Sequence, residues 1–209
     1  IIMVMKGKSA HAMEPEKGRN AAVLLAKFLK NELETGVGAE FVRFVTDVFD
    51  GDHTGATLGF NYHDEMSGET TLNPGIVTFN EKGGAIEVSM RYSVTYPFDE
   101  KMTEVQAHMA ETPFILDVAG DSKPHYVPED DELVQTLLSV YQKHTNDFSK
   151  VLSTGGGTYA RVLKKGVAFG MLYPGELDVA HQADEFVVVD NLLKAAAIYA
   201  EAIVKLASK

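Results

Sequence analysis

The spacing of apolar positions changes along the chain, and each change predicts a different kind of element. Ile1 to Met5 is an unbroken apolar run ending at the turn-like Gly7-Lys8-Ser9, which predicts a strand. Glu14-Pro-Glu-Lys-Gly18 reads as a loop. Asn20 then caps a predicted helix reaching about Glu34, with Val23, Leu24, Ala26, Phe28 and Leu29 at helical spacing. Gly36 and Gly38 close that helix, and Phe41 to Phe49 predicts a second, shorter one. From Thr57 to Pro97 the period shortens to two, predicting strands over 57–63, 71–80 and 84–96, with Lys82-Gly83-Gly84 as a hairpin turn. Ile86, Val88, Met90, Tyr92 and Val94 fall on one face of the last strand; Glu87, Ser89, Arg91 and Ser93 fall on the other. Asp99 caps a helix to about Glu111, and 113–118 predicts another strand.

This order predicts an α+β layer, an antiparallel sheet with helices on one face. Gly120 to Asp131, with Pro124, Pro128 and four acids, marks the expected boundary between domains at 1–123 and 124–209. Beyond it the pattern alternates: a helix over 131–145, a strand over 150–153, a Gly-rich turn, a helix over 159–163, a strand over 167–172 and a helix over 190–205. That alternation is α/β.

Composition narrows the function. No apolar run approaches the roughly 18 residues that span a bilayer, so a transmembrane helix is excluded. A formal net charge of -11 argues against nucleic-acid binding, which needs a basic face. With no cysteine there is no disulfide and no thiol nucleophile, which is compatible with a reducing cytoplasm. Any metal must be held by His, Asp or Glu.

Four patterns hold candidate chemistry. Gly7-Lys-Ser-Ala-His11 to Asn20 places His11 just past a strand end, where it could donate to a developing oxyanion. Thr71-Leu-Asn73-Pro-Gly75 is followed by Arg91, whose guanidinium suits a carboxylate. Gly155-Gly156-Gly157-Thr158, with Arg161 about one turn on, presents backbone N–H groups to an anion. Gly175 to Phe186 sets His181 among Asp178, Asp184 and Glu185, which could orient a metal-bound imidazole. Each also has an ordinary account: a solvated loop His, an Arg on an exposed sheet face, a tight turn. His53, His63, His108, His125 and His144 lack ligand-like spacing and read as surface residues.

Together and in this order, the patterns resemble the dinuclear zinc aminoacylase, carboxypeptidase and dipeptidase superfamily, and within it the bacterial peptidase V-type dipeptidases. The resemblance covers essentially the whole chain. It implies that residues 1–123 are a ferredoxin-like lid domain and 124–209 the second half of an α/β zinc-peptidase catalytic domain. It also implies that His181 binds one of two zinc ions, that His11 stabilises the tetrahedral intermediate, and that Arg91, Gly156 and Arg161 lie against the substrate. Many members have Asp after Gly-Gly-Thr, where Tyr159 stands here.

The remaining zinc ligands and the general base of that family precede the lid, so the resemblance implies a missing N-terminal half of the catalytic domain. The expectation is a cytoplasmic metallodipeptidase acting on short peptides, inactive in this portion alone. It would be a monomer or a lid-mediated homodimer, with no nucleic-acid or membrane partner. The alternatives are an N-acyl amino acid amidohydrolase or carboxypeptidase of the same superfamily and, in another class, a catalytically silent binding or scaffold module.

Overall fold

The computed structural model describes residues 2–180 and 184–208, and two of its helices begin at a residue whose side chain caps them. The chain divides into two compact units, Ile1–Pro124 and His125–Lys209. In the first unit, α1 (Ala21–Leu29) follows Asn20, whose Oδ1 accepts from the N–H groups of Ala22 and Val23 at 3.0 and 3.2 Å. α1 stops well short of Glu34, because the polar run after Leu29 offers little for the core to bury. Gly36, at φ 94°, turns the chain into α2 (Val37–Phe49), which buries Phe41, Val42, Val45, Val48 and Phe49. α3 (Phe98–Met109) starts after Pro97 without a side-chain cap; Asp99 sits inside its first turn, complementing the helix dipole.

β1 (His63–Asp64) and β2 (Gly68–Glu69) make one small antiparallel pair. β3 (Thr71–Asn80) and β4 (Gly83–Arg91) make the long hairpin, in register from Thr71 opposite Arg91 to Asn80 opposite Gly83. The register slips between Pro74 and Ile76, where Pro74 has no N–H to give the ladder. Val45, Leu72 and Val105 lie deepest in a core shared by α1–α3, and Val77, Ile86 and Met90 of the hairpin pack against it. The fit is close at Gly84, where an added Cβ would lie 2.3 Å from a ring carbon of Phe41.

The second unit packs α4 (Glu132–Thr145) against α5 (Val189–Ala207) through Leu137, Val140, Ile198 and Ala202. Asp131 Oδ1 caps α4 by accepting from Leu133 N–H at 2.8 Å, and Asn146, at φ 56°, ends it. Glu201 on α5 takes Lys143 Nζ and His144 Nε2 of α4, each at 2.8 Å. Those two partners hold its carboxyl down at about 2. His144, expected at the surface, is thus half-buried in a helix–helix contact.

Mixed helices and small antiparallel sheets make up this α/β architecture, but several expected strands are not ladders. Residues 2–5, 113–118, 150–153 and 167–172 form no strand among the described residues, and of 57–63 only His63 joins one, the two-residue β1. Instead of a strand, Ala56–Leu58 is a 3-10 turn between two left-handed glycines, Gly55 and Gly59. A strand requires a partner edge, and Ile2, Ile115 and Leu152 stand 93%, 95% and 95% exposed. β4 also ends earlier than expected, and the side chain of Ser93 turns inward to donate to Gly68 O at 2.6 Å.

Asp52 holds the loop between α2 and the hairpin. Its carboxylate accepts from Thr54 and Gly55 N–H at 3.0 and 2.8 Å and from Thr57 N–H at 2.7 Å. Burial pushes this carboxyl up, but donation from Thr57, Thr54 and Ala56 outweighs it and holds the group at about 2. Its folded pKa lies below the ordinary value of 3.8, so its contribution to stability is full above about pH 4 and is lost as pH falls through 2. Asp52→Ala should therefore cost about 1 kcal/mol at pH 7, discounted for solvent screening, and progressively less between pH 4 and pH 2. Urea unfolding of parent and variant across that range checks both the size and the sign.

Candidate functional site

A closed loop presents His11. Lys8 and Arg19 exchange both backbone hydrogen bonds, at 3.0 and 2.9 Å, and so seal residues 8–19 at a two-residue neck. Glycine is needed on both sides of that neck. A Cβ on Gly7 would lie 2.3 Å from Arg19 O, and one on Gly18 would lie 2.9 Å from the Ala10 methyl. Asn20 ties the neck to the rest of the unit: beyond capping α1, its Nδ2 donates to Pro74 O at 2.8 Å, at the bulge of β3.

Inside the loop, Met13 N–H donates to His11 Nδ1 at 3.2 Å. A nitrogen accepting that bond has no proton of its own, so the neutral ring holds its proton on Nε2. The exposed imidazole is therefore a hydrogen-bond donor through Nε2, the form suited to an oxyanion. It faces a cleft of about 640 Å³ between the loop, the start of α1 and β3 around Pro74 and Gly75. No acidic side chain among the described residues lines this cleft.

Arg91 does not line it. It ends β4 opposite Thr71, and its Nε and the Thr71 hydroxyl are both buried without a hydrogen-bond partner among the described residues. In the second unit, Gly156 N–H donates to Thr154 Oγ1 at 3.1 Å, and Arg161 lies in a 3-10 turn, Tyr159–Val162. Here the structure brings two candidates together: a Cβ on Gly157 would sit 2.9 Å from Arg161 Nη1, so the guanidinium lies directly over the Gly-rich turn.

His181 lies outside the described residues. Just before it, Asp178 Oδ1 accepts from Ala180 N–H at 3.0 Å. Among the described residues no group of three or more His, Asp or Glu side chains could hold a metal ion, so they do not by themselves fit a two-zinc centre. Nor, among them, is any helix long and apolar enough to cross a membrane.

The model of peptidase family M20/M25/M40 matches residues 11–205. YtjP of Bacillus subtilis (strain 168) is 45% identical over 208 residues, and a Staphylococcus epidermidis (strain ATCC 12228) protein is 34% identical over 204. Both bear the name "Putative dipeptidase". The matches cover 99% and 97% of this chain but 44% of each relative, so the chain spans less than half the length of the proteins it resembles.

Two outcomes follow from the loop. In ¹⁵N NMR at a pH where His11 is neutral, Nδ1 should show the shift of an unprotonated ring nitrogen and Nε2 that of a protonated one; the reverse pattern would refute the Met13 contact. Asn20→Asp keeps the cap acceptor but loses the donor to Pro74 O, and should cost about 1–2 kcal/mol in chemical denaturation. Asn20→Ala loses both functions and should cost more.

Proposed function

The chain belongs to peptidase family M20/M25/M40, and from that premise we propose that it is the C-terminal part of a zinc-dependent dipeptidase. Residues 1–123 are its lid and 124–209 the second half of its catalytic domain. The observation that carries the reading is His11, fixed by Met13 as an Nε2–H donor and facing an acid-free cleft. Such a donor stabilises the oxyanion formed when water adds to a peptide carbonyl. A cleft of about 640 Å³ suits a ligand of dipeptide size.

In this proposal His181 is one ligand of a two-zinc centre whose other ligands come from additional polypeptide. Gly156 and Arg161 receive an anionic part of the substrate, and Arg91 is a further substrate-binding residue, on the lid. The short match to the relatives supports an additional segment, and so does apolar surface on the second unit: Leu152, Val189, Leu193, Ile203 and Val204 are all exposed. This portion alone is then inactive. The intact protein works in the cytoplasm as a monomer or a lid-paired dimer.

The test uses the full-length protein. It should hydrolyse dipeptides faster than N-acyl amino acids, and the opposite preference would move the reading to an amidohydrolase. His181→Ala should lower the zinc bound per chain, measured by elemental analysis, and should reduce kcat by at least about a hundredfold. Normal zinc content in that variant would sink the ligand assignment. Turnover by residues 1–209 alone at the full-length rate would sink the claim of a missing half.

A further inference from the structure

We infer that Lys8 and Arg19 form a carboxylate-binding pair on the His11 cleft, an inference that rests on that cleft facing substrate. The two residues are backbone partners that exchange both hydrogen bonds. Directly opposite residues in an antiparallel pair point their side chains to the same side, with Cβ atoms about 5 Å apart. Like charges so placed repel, and a fold gains nothing from them unless an anion sits between.

The surroundings do not supply that anion. Both residues line the cleft, its lining contains no Asp or Glu, and neither side chain forms an ion pair with a described residue. This is not for want of acids: the chain has 30 acidic residues against 19 basic ones. The gap in neutralisation is therefore local. Closely packed glycines and the Asn20 tether hold the two backbone positions, so both basic side chains leave the chain from fixed neighbouring points before a ligand arrives.

The ligand chemistry follows from the side chains. A guanidinium offers a planar fork that pairs bidentately with a carboxylate, and the ammonium adds a second, flexible charge. On a peptide, that carboxylate is either the C-terminus or an acidic side chain. Arg19 and Lys8 then set which peptides bind, while His11 serves the reacting carbonyl.

The experiment compares the full-length parent with the Lys8→Gln/Arg19→Gln double variant. KM is measured for two matched pairs: a dipeptide against its C-terminal amide, and a dipeptide with Asp against the same one with Asn. The variant should raise KM about tenfold for the carboxylate member of one pair, with the uncharged member within twofold. The pair that splits identifies which carboxylate is bound. Its thermal midpoint should equal or exceed the parent's, because a repulsion has been removed, and Arg19→Lys should keep only part of the affinity, since an ammonium cannot make the bidentate pair.

A calorimetric arm needs no turnover. N-acetyl-L-alanine should bind the parent about tenfold more tightly than the variant, with no such difference for N-acetyl-L-alaninamide. Equal effects on acid and amide, or a variant that simply unfolds earlier, would overturn the inference even if dipeptides are hydrolysed. A protein that hydrolyses no peptide but shows the calorimetric difference would remove the dipeptidase reading and leave the carboxylate pair standing.

Discussion

The carboxamide of Asn20 joins three parts of the first unit through one side chain. Its oxygen takes the two free N–H groups at the start of α1, and its nitrogen donates to the carbonyl of Pro74. Only a side chain with both an acceptor and an N–H donor can do this. Aspartate keeps the cap but would set an anionic oxygen against the carbonyl; serine is too short to reach both ways. The carbonyl is on offer because Pro74 interrupts the β3–β4 ladder and bulges it. Helix start, loop neck and sheet bulge thus share one point, and His11 is held because that point is fixed.

Much of this was legible in the sequence, and the limits of legibility are instructive. Asn20 and Asp131 announce helix starts because a cap acts within three residues, and the helical spacing of Val23, Leu24, Phe28 and Leu29 follows from the local chain. The 71–91 hairpin is legible for the same reason, since its turn is two residues long. Residues 2–5, 113–118 and 150–153 have the composition of strands and do not form them. Composition states that a segment could join a sheet, while the partner edge is a property of the rest of the polypeptide. A local pattern cannot report it.

The site divides along the same line. His11 and the Gly-rich turn are visible because their motifs are contiguous, and the overlap of Arg161 with Gly157 follows from a spacing of four residues. The Lys8–Arg19 pairing escapes notice because the two are eleven positions apart and become neighbours only when the neck closes. A sequence signal did exist: a basic residue follows each of Gly7 and Gly18, the two glycines that flank the His11 loop. The tautomer of His11 has no sequence signal at all, since Met13 contributes its backbone and not its side chain.

At a net charge of -11, the chain as a whole repels an anionic ligand at a distance. At physiological ionic strength the screening length is about 8 Å, so acids farther away than that have little say inside the cleft. Two cations brought to within about 5 Å of each other would repel by roughly 1 kcal/mol in bulk water and by about 3 kcal/mol at an effective dielectric of 20. A carboxylate about 4 Å from both gains more than this repulsion costs, because it meets two attractions at shorter range. Near the mouth of a cleft whose described lining holds no acid, the balance therefore favours an occupant with one negative charge, which draws together two side chains that leave the backbone at neighbouring points.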